Sequence, residues 1–570
     1  MSNPLFGTVK LKKPRRNWFN LTHEVKSTTD AGILMPFFSQ EVVPGDKWKV
    51  RTEILLKMQT LRAPLMHRVN LYCHFFFVPY RIIWDEFRQF ITGGSDGTEM
   101  PVYPTYRFVD DFFDPNGTYF GPGSLYDYLG FPVYKETNDD GYTSYLHPKE
   151  VSALPFRAYQ LIWNEYYRDQ NLQEEKPILK TSGSSLITPV EMSDYVGLRY
   201  RAWEKDYFTS ALPFAQRGPD VTLPIDSKIS IGDGVIGTGT ITQKGVIIRG
   251  EGAATSNGQK SIQAEVTAQN PQDLGQGVVE GTDANKQNGI VTAVSGNITT
   301  SDGAVVVNGN GSDIDAQISG PTINELRRSI RVQEWFEKNA RGGARYIEQI
   351  LSHFGVRSSD SRLQRPEYLG GGMQPVVVSE LLQTSESTKS SPQGTQTGNG
   401  ISLGSTNQFN RFFEEHGIIL GIMSIVPKPA YQQGIPRQWL RRDKFDFYWP
   451  EFAHLGEQEI QNQELYFDPY AKDEVNSGTF GYAPRYAEYK YIPSSVHGEF
   501  RRTMDFWHLG RIFNSSPGLN GEFIEIRPND VDRAFPTEAA NVANPGRMYA
   551  QILNHVKAKR PMPKFGTPIL

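Results

Sequence analysis

The sequence predicts a mainly β protein, a jelly-roll β-sandwich with large loop insertions and a few short helices. Its 570 residues include 53 Gly and 37 Pro, a content typical of many turns and few long helices. Hydrophobic residues make up 38% and aromatic residues 12%, so the chain can build a sizeable core. Strand-like runs lie in both halves of the chain, with helix-like segments between them. A sandwich whose two sheets are completed by distant segments has this pattern.

The clearest strand signal lies in residues 69–78. One face of this strand would carry Val69, Leu71, Cys73, Phe75 and Phe77, and the other Asn70, Tyr72, His74, Phe76 and Val78. Because both faces carry aromatic rings, we expect one to pack on the opposing sheet and the other under a loop or a neighbouring subunit. Cys73 is then a small core residue.

Three segments carry helix signals. Pro155 takes a first-turn position ahead of residues 156–169, and residues 322–325 have capping-box spacing ahead of an apolar run. A third helix, residues 344–354, should end at Gly355, a residue type that favours helix C-termini. Further strand-like runs follow these helices, at residues 418–426, 486–492 and 499–513.

The aromatic residues divide the chain into three parts. All 69 Phe, Trp and Tyr lie outside residues 226–320, where ten acidic residues outnumber five basic ones and 17 glycines occur. Short β-branched runs between these glycines predict a Gly-rich acidic β insertion that forms a surface protrusion. Residues 1–225 would hold an N-terminal arm and the first part of the jelly roll with helical insertions. Residues 321–570 would hold a helical connection, the remaining strands and a basic C-terminal tail. A disordered linker is the alternative for residues 226–320.

Both ends of the chain are basic, although the net charge is −4. Residues 1–26 carry six basic side chains against one acidic, and residues 541–570 carry five against none. Prolines among them favour extended segments, and extended cationic segments suit the phosphate backbone of a nucleic acid. The candidate nucleic-acid contacts are Lys10, Lys12, Lys13, Arg15, Arg16, Lys557, Lys559, Arg560 and Lys564. Solvated tails that bind nothing are the alternative.

Motifs for catalysis, cofactors and metals are weak in this sequence. Residues 232–237 match the dinucleotide fingerprint, but more glycine follows them and no helix signal does. Pro101 and Pro104 follow Ser95 where a nucleophile elbow needs a helix. The ten histidines are scattered and Cys73 is the only cysteine, so no zinc ligand set is visible. We therefore expect no catalytic residue, no cofactor and no metal.

The sequence also bears on where the protein is made. One cysteine cannot form an intrachain disulfide, and no secretory leader is visible, so synthesis in a reducing cytoplasm is expected. The most apolar stretch, residues 417–426, is about half the roughly 20 residues that a membrane-spanning helix needs. We expect no membrane insertion.

Two aromatic-rich segments, residues 154–170 and 201–217, are the most distinctive in the chain. Each places large rings between Arg and Asp or Glu side chains, a composition that suits interlocking subunits. They closely resemble the major capsid protein of the Microviridae, in particular the gokushovirus type. Further matching stretches are residues 20–26, 43–46, 64–70, 75–79, 90–94, 345–354 and 365–371.

This resemblance implies an eight-stranded viral jelly roll without catalytic activity. Many copies would form a T=1 icosahedral shell around a circular single-stranded DNA genome, so the protein would reside in the virion and be made in the bacterial host cytoplasm. The family also implies a separate small basic DNA-packaging protein as a partner. Residues 226–320 look like the variable protrusion of the family and would contact a host surface receptor.

Within the two distinctive segments, four rings are expected in the core or at subunit contacts: Trp163, Tyr166, Trp203 and Phe208. Two other function classes stay open. A carbohydrate-active or carbohydrate-binding β-sandwich also carries ring-rich loops, and a glycosidase would show two carboxylates at a fixed spacing in a groove. A host-binding spike would show a stalk or repeats, and no internal repeat is visible.

Overall fold

The computed structural model of the protein describes residues 15–109, 114–137, 143–146, 148–219, 221, 226–229, 253–254, 260–261, 316–319, 323–343, 345–382, 396–536 and 546–565. The first ten strands are β1 (Asn17–Asn20), β2 (His23–Thr29), β3 (Met35–Val42), β4 (Lys47–Met58), β5 (Val69–Pro79), β6 (Thr105–Phe108), β7 (Tyr134–Thr137), β8 (Thr143–Leu146), β9 (Glu150–Ser152) and β10 (Ser184–Ile187). The later strands are β11 (Asp226–Ile229), β12 (Ala253–Ala254), β13 (Lys260–Ser261), β14 (Ala316–Ser319), β15 (Glu367–Leu382), β16 (Gln396–Phe412), β17 (Gly417–Pro427), β18 (Glu457–Gln461), β19 (Thr479–Pro484) and β20 (Met548–Arg560).

The helices are short, with one exception. They are α1 (Tyr80–Ile83), α2 (Phe87–Thr92), α3 (Leu125–Tyr128), α4 (Leu154–Ile162), α5 (Met192–Tyr195), α6 (Ile323–Gly342), α7 (Tyr346–Phe354), α8 (Asn462–Leu465), α9 (Asp473–Asn476), α10 (Ala487–Lys490) and α11 (Gly521–Ile524). Short 3-10 segments lie at Arg437–Trp439, Lys444–Asp446, Pro450–Phe452, Gly498–Arg501, Asp505–Trp507 and Pro528–Ala534. Among the described helices, none is long and apolar enough to cross a membrane.

Eight of the described strands form a sandwich of two four-stranded antiparallel sheets. One sheet has the order β2-β20-β4-β16, and the other has the order β15-β5-β17-β3. β1 lies beside β2 along the same edge of β20. Each sheet therefore contains strands from both halves of the chain, interleaved as in a jelly roll. The predicted mainly β jelly-roll fold is confirmed.

Two long connections carry most of the remaining elements. Residues 80–366 connect β5 to β15, and residues 428–547 connect β17 to β20. The two sheets also meet at one corner, because the first part of β15 pairs with β5 and its last part pairs with β16. These connections are the large insertions that the sequence predicts.

The interior of the sandwich is the first core. β5 contributes one face to it, with Val69, Leu71, Cys73, Phe75 and Phe77 all buried there. The other face of β5 places Phe76 and Val78 in a second core. The predicted division of this strand into two buried faces is confirmed, and burial raises the pKa of the Cys73 thiol, as expected for an inert core cysteine.

The second core covers the outward surface of the sheet β15-β5-β17-β3, which we call the covered face. Leu420 and Ile422 of β17 pack there with Phe156, Tyr159 and other side chains from the first insertion. The opposite side chains of β17 lie in the first core. Because β17 is buried on both faces along its whole length, its sequence is an apolar run without alternation.

A third core joins the two insertions. Phe208 packs there with Tyr431, Phe480 and Phe523, and the ring centroids of Phe208 and Tyr431 are 4.8 Å apart. Edge-to-face rings at this separation add to the stabilisation that comes from burial alone. The described parts of the two insertions that contribute to this core are therefore packed against each other.

The chain divides into two compact units. One comprises residues 1–217 and 337–570, and the other comprises residues 218–336. In the second unit β11 pairs with β14, and β12 pairs with β13. Most of residues 226–320 lie outside the described part of the chain, so a surface protrusion there stays a prediction.

The predicted helices are present with one difference. α4 has Pro155 in its first turn, but after Ile162 the chain continues as a π-helical turn, Trp163–Tyr167, and leaves the helix at Arg168. α7 ends at Gly355, whose φ of 68° is the left-handed conformation that glycine adopts without strain.

Two predicted strands are wrong. Residues 486–492 contain α10, and residues 499–513 contain two 3-10 segments. Tyr486 is buried with a φ of 61°, a value that no regular strand allows. The aromatic side chains of these residues instead pack against neighbouring segments. The rings of Tyr486 and Tyr448, for example, are in contact.

Candidate nucleic-acid interface

The predicted basic residues Lys557 and Lys559 lie in β20, in the middle of the sheet β2-β20-β4-β16. Their neighbours Val556 and Ala558 are buried in the first core. Because side chains alternate along a strand, the two lysines point away from the core. Residues 557–560 therefore belong to a sandwich strand and not to a free C-terminal tail.

β4 lies beside β20 and has the same alternation. Trp48 and Val50 are buried in the first core, whereas Lys47, Lys49 and Arg51 are exposed on the outward surface. We call the outward surface of this sheet the open face. Five cations on two adjacent strands therefore point to the same side of the molecule.

The register between β4 and β20 sets basic residues directly opposite basic residues. Lys49 faces Lys557, Lys47 faces Lys559, and Arg51 faces His555. Like charges at directly opposed positions destabilise a sheet. Two such lysine pairs lie in adjacent rows of this sheet. We call Lys47, Lys49, Arg51, Lys557 and Lys559 the basic face.

Within the described residues, none of the four lysines lies within ion-pair distance of a carboxylate. Arg51 is 3.3 Å from Glu53, and the same carboxylate is 3.5 Å from His555. One acid therefore contacts both Arg51 and His555 at the edge of the patch, and the lysine pairs are left without a carboxylate partner among the described residues. The result is a net positive surface on an otherwise slightly acidic chain.

Aromatic side chains flank the lysines on both sides. Trp18 of β1 lies opposite Lys559, and Phe412 of β16 lies opposite Lys47. The Trp18 side chain is 47% exposed, and the Nζ atom of Lys49 lies 5.8 Å from its ring centroid. Proteins that bind single-stranded nucleic acids often carry exposed rings beside cations, because the bases stack on the rings while the cations contact the phosphates.

Amide side chains flank the second row of the basic face. Asn20 lies opposite Lys557, and Asn410 lies opposite Lys49. Rows two residues apart on a strand are about 6.6 Å apart, and four adjacent strands span about 14 Å. The patch thus has the size of a short segment of extended polynucleotide.

The remaining predicted cations have different surroundings. Arg15 and Arg16 are exposed, and the guanidinium of Arg16 lies 5.2 Å from the Phe412 ring centroid, at the end of the first row. Lys564 is exposed beyond β20. Lys10, Lys12 and Lys13 lie outside the described residues.

Arg560 has a structural role. Its Nε donates to the Asp46 carboxylate at 3.0 Å, and its Nη2 donates to the Glu41 carbonyl at 3.1 Å. The Asp46 carboxylate also accepts from the Trp48 indole at 3.0 Å. Since its charge is neutralised by a buried acid, Arg560 fixes the end of β20 against β4 and contributes little free charge to the basic face.

The sequence prediction missed Lys47, Lys49 and Arg51. The signal is present, because residues 47–51 alternate cations with apolar residues, as in a strand with one buried face. A count of charges per segment does not show it, because acidic residues nearby cancel the total. The structure also places no cluster of three or more metal-ligating side chains among the described residues.

The profile of the capsid protein (F protein) family matches residues 7–570 of the chain. The chain belongs to this capsid protein family. Capsid protein VP1 of Chlamydia phage 1 is 37% identical over 99% of this chain and 97% of its own length. Capsid protein VP1 of Bdellovibrio phage phiMH2K is 35% identical, and that of Spiroplasma virus 4 is 29% identical, over the same shares. The resemblance found in the sequence motifs is confirmed.

In this capsid protein, two of the four predicted rings hold the insertions in place: Trp203 packs against the sandwich, and Phe208 joins the two insertions to each other. Trp203 is buried in the first core, and its indole donates to the Glu525 carbonyl at 3.1 Å. Phe208 is buried in the third core. Both rings therefore stabilise the subunit itself.

The other two rings lie in the π-helical turn that follows α4. Trp163 is buried in the second core, with the Arg199 guanidinium 5.3 Å from its ring centroid. Tyr166 is partly buried, lies 4.7 Å from the Phe76 ring and donates to the Pro366 carbonyl at 2.5 Å. Contacts of these four residues with another subunit stay a prediction.

Proposed function

We propose that copies of this capsid protein tile into a closed T=1 icosahedral shell, with the basic face turned inward against a circular single-stranded DNA genome. Family membership and the jelly-roll fold support the shell. The cation pairs between β4 and β20 support the orientation, because a negatively charged genome is the polyanion that a capsid interior encloses. No catalytic step belongs to this function.

The two outward surfaces of the sandwich favour one orientation. The covered face is buried under the second core and has no contact with solvent along β17. The open face keeps its strands exposed, and the basic face occupies the part where β1, β20, β4 and β16 lie side by side. Because β17 is covered whereas β4 and β20 expose their outward side chains, we assign the open face to the inner wall.

The basic face would bind DNA by charge and stacking without reading its sequence. Each phosphate that a lysine neutralises releases counterions, so binding weakens as salt is raised. Phosphate contacts carry no base information, and rings such as Trp18 accept any base. A genome of any sequence could therefore line the shell.

The other partners are part of the same proposal. We assign host attachment to residues 226–320, because this segment is acidic, lacks aromatic residues and belongs to a separate compact unit. A small basic packaging protein would neutralise DNA that the basic face does not contact. The protein would be made in the bacterial host cytoplasm and would reside in the virion.

The test replaces the four lysines Lys47, Lys49, Lys557 and Lys559 with glutamine. Binding of the unassembled chain to oligo(dT) is measured by fluorescence anisotropy across a range of salt concentrations. If each lysine neutralises one phosphate, the log-log salt slope should fall by about 3 in the variant, since a single strand loses about 0.7 per contact. The matched control replaces the exposed lysines Lys149, Lys180, Lys472 and Lys490 with glutamine, with the same loss of charge.

The comparison distinguishes a DNA-binding site on the basic face from attraction of DNA to the total charge of the protein. Equal slopes for the two quadruple variants would show that DNA responds only to total charge, and the inward basic face would be wrong. Electron microscopy of the wild-type protein tests the shell itself, where uniform small spheres with nuclease-resistant DNA are expected. Deletion of residues 226–320 should spare particles and abolish attachment to host cells, whereas a loss of particles would make this segment architectural.

A further inference from the structure

Helix α7 leaves much of its apolar side uncovered, with Leu351 and Phe354 exposed and Ile347 and Ile350 half-buried, while its polar side contacts the protein. Ile347, Ile350, Leu351 and Phe354 follow the spacing that places side chains on one helix face, and we call them the apolar stripe. None of the nine residues of α7 is buried, and the Phe354 side chain is 79% exposed. Within the described residues, the stripe packs against none of the three cores.

The polar side of α7 makes the contacts that hold it in place. Glu348 accepts from the Arg345 backbone at 3.0 Å, and the Arg345 guanidinium donates to the carbonyls of Asn164 and Arg168 at 2.7 and 3.0 Å. The His353 ring lies 2.7 Å from the buried Asn339 amide oxygen. An amphipathic helix normally buries its apolar face, so this inverted arrangement needs a partner that the described residues do not supply.

We propose that the apolar stripe is a contact with the apolar stripe of a second copy of this chain, paired antiparallel across a two-fold axis. This inference rests on the proposed shell. A two-fold contact requires a surface that complements itself, and a stripe without charged side chains meets no repulsion from its own copy. The charged residues Arg345 and Glu348 pair with each other outside the stripe. Antiparallel packing also places each helix N-terminus beside the C-terminus of its partner, where the helix dipoles attract.

The size of the stripe agrees with a contact inside a shell. A nine-residue helix is about 13.5 Å long, and its four stripe side chains fall well short of the roughly 800 Å² per partner of a stable pairwise interface. Two free copies should therefore stay apart in dilute solution. In a closed shell every copy makes several contacts at once, and weak contacts then add by avidity.

A cross-linking experiment tests the contact in assembled particles. Ile350→Cys places a thiol in the middle of the stripe, where a short bis-maleimide should link it to the Ile350→Cys thiol of the paired copy. Gln349→Cys is the matched control, because its side chain lies on the other side of the same helix. Cys73 is buried and does not compete. Dimers from Ile350→Cys particles and none from Gln349→Cys particles are expected, and equal or absent dimers from both would overturn the pairing.

A charge variant tests whether the contact stabilises the shell. Leu351→Glu with Phe354→Glu should lower the particle yield about tenfold or more, because each contact would bury unpaired charges and the contact recurs throughout the shell. Since the stripe is not buried in the free chain, circular dichroism of the unassembled variant should match the wild type. Gln349→Glu should assemble normally.

The outcomes distinguish this inference from the proposed function. Wild-type particles together with a normal yield from the double glutamate variant would overturn the stripe contact and leave the shell intact. A wild-type chain that forms no particles would overturn the shell, and the stripe contact with it. A double variant that fails to fold would show that the stripe is packed within its own chain, which also overturns the inference.

Discussion

The two outward surfaces of the sandwich differ, although the same fold builds both. On the covered face, Leu420 and Ile422 of β17 lie under a second core of aromatic side chains. On the open face, β4 and β20 carry outward lysines that face each other in two pairs. The first surface stabilises the subunit by burial, whereas the second keeps an electrostatic cost in the free chain.

This difference shows how strands of one sandwich acquire different roles. A strand buried on both faces needs an unbroken apolar run, as in β17, and gains stability from each methylene that it buries. A strand buried on one face has every second residue free for function, as in β4. The free positions of the open face carry charges that weaken the sheet, a pattern expected where function and stability compete.

The largest expected effect compares equal truncations on the two faces. Leu420→Ala should lower the free energy of unfolding by about 2–5 kcal/mol, because Leu420 is 0% exposed and its removal leaves a cavity. Leu403→Ala on the open face removes the same atoms from a side chain that is 75% exposed, so its effect should stay within about 0.5 kcal/mol. Urea unfolding of the unassembled chains measures both, and similar losses would mean that the open face is covered as well.

A smaller effect should come from acid, through a histidine on the covered face. His74 lies beside the rings of Tyr167 and Tyr368, with its Nδ1 atom 2.8 Å from the Tyr167 hydroxyl. Burial, with a further contribution from Arg201, lowers the pKa of His74 to about 4. The unfolded chain takes up this proton near pH 6.5 and the folded chain only near pH 4, so stability falls as the pH drops between these values, by on the order of 3 kcal/mol.

Replacement of His74 measures how much of the acid-dependent loss of stability comes from this residue. His74→Gln should show a smaller loss of stability between pH 7 and pH 4.5 than the wild type, measured as the shift in the urea midpoint. The pKa of His67, also lowered to about 4 by burial, accounts for a further part. The double variant His67→Gln with His74→Gln should therefore show the smallest loss of stability between pH 7 and pH 4.5. An acid dependence that His74→Gln leaves unchanged would show that the covering layer admits water to this ring.

The smallest expected effect is a gain of stability, in contrast to the losses above. Lys49→Glu converts the pair with Lys557 into one of opposite charges, which should raise the free energy of unfolding by about 0.2–1 kcal/mol at low salt. The gain should shrink as salt is added, because the pair is exposed to solvent. Affinity for single-stranded DNA should fall in the same variant. A loss of stability in Lys49→Glu would indicate that the lysines are already neutralised within the chain.

Much of the fold could be predicted from local patterns. The alternation in residues 69–78 and the apolar run in residues 418–426 identified β5 and β17, since burial on one or two faces leaves a direct trace in the order of residues. The strands predicted at residues 486–492 and 499–513 were wrong for a related reason. Aromatic residues favour strands and also fill packed insertions, and composition does not separate the two.

The candidate site was predictable only in part. The charge of the C-terminal region identified Lys557 and Lys559, but it also included Arg560, whose guanidinium pairs with Asp46. Lys47 and Lys49 were missed, because acidic residues nearby hide them in a count of charge. The inverted face of α7 was not visible either, since periodicity shows that a helix has an apolar face and not which way it points.

The sequence by itself determined the mainly β class, the membership in the capsid protein family and the burial pattern of individual strands, because these depend on residues that are close along the chain. Only the tertiary structure decided that β4 and β20, about five hundred residues apart, lie side by side with lysine opposite lysine. Register and neighbourhood depend on how the whole sandwich closes. The physical consequence, a sheet in which like charges face and repel each other, therefore exists only once it has closed.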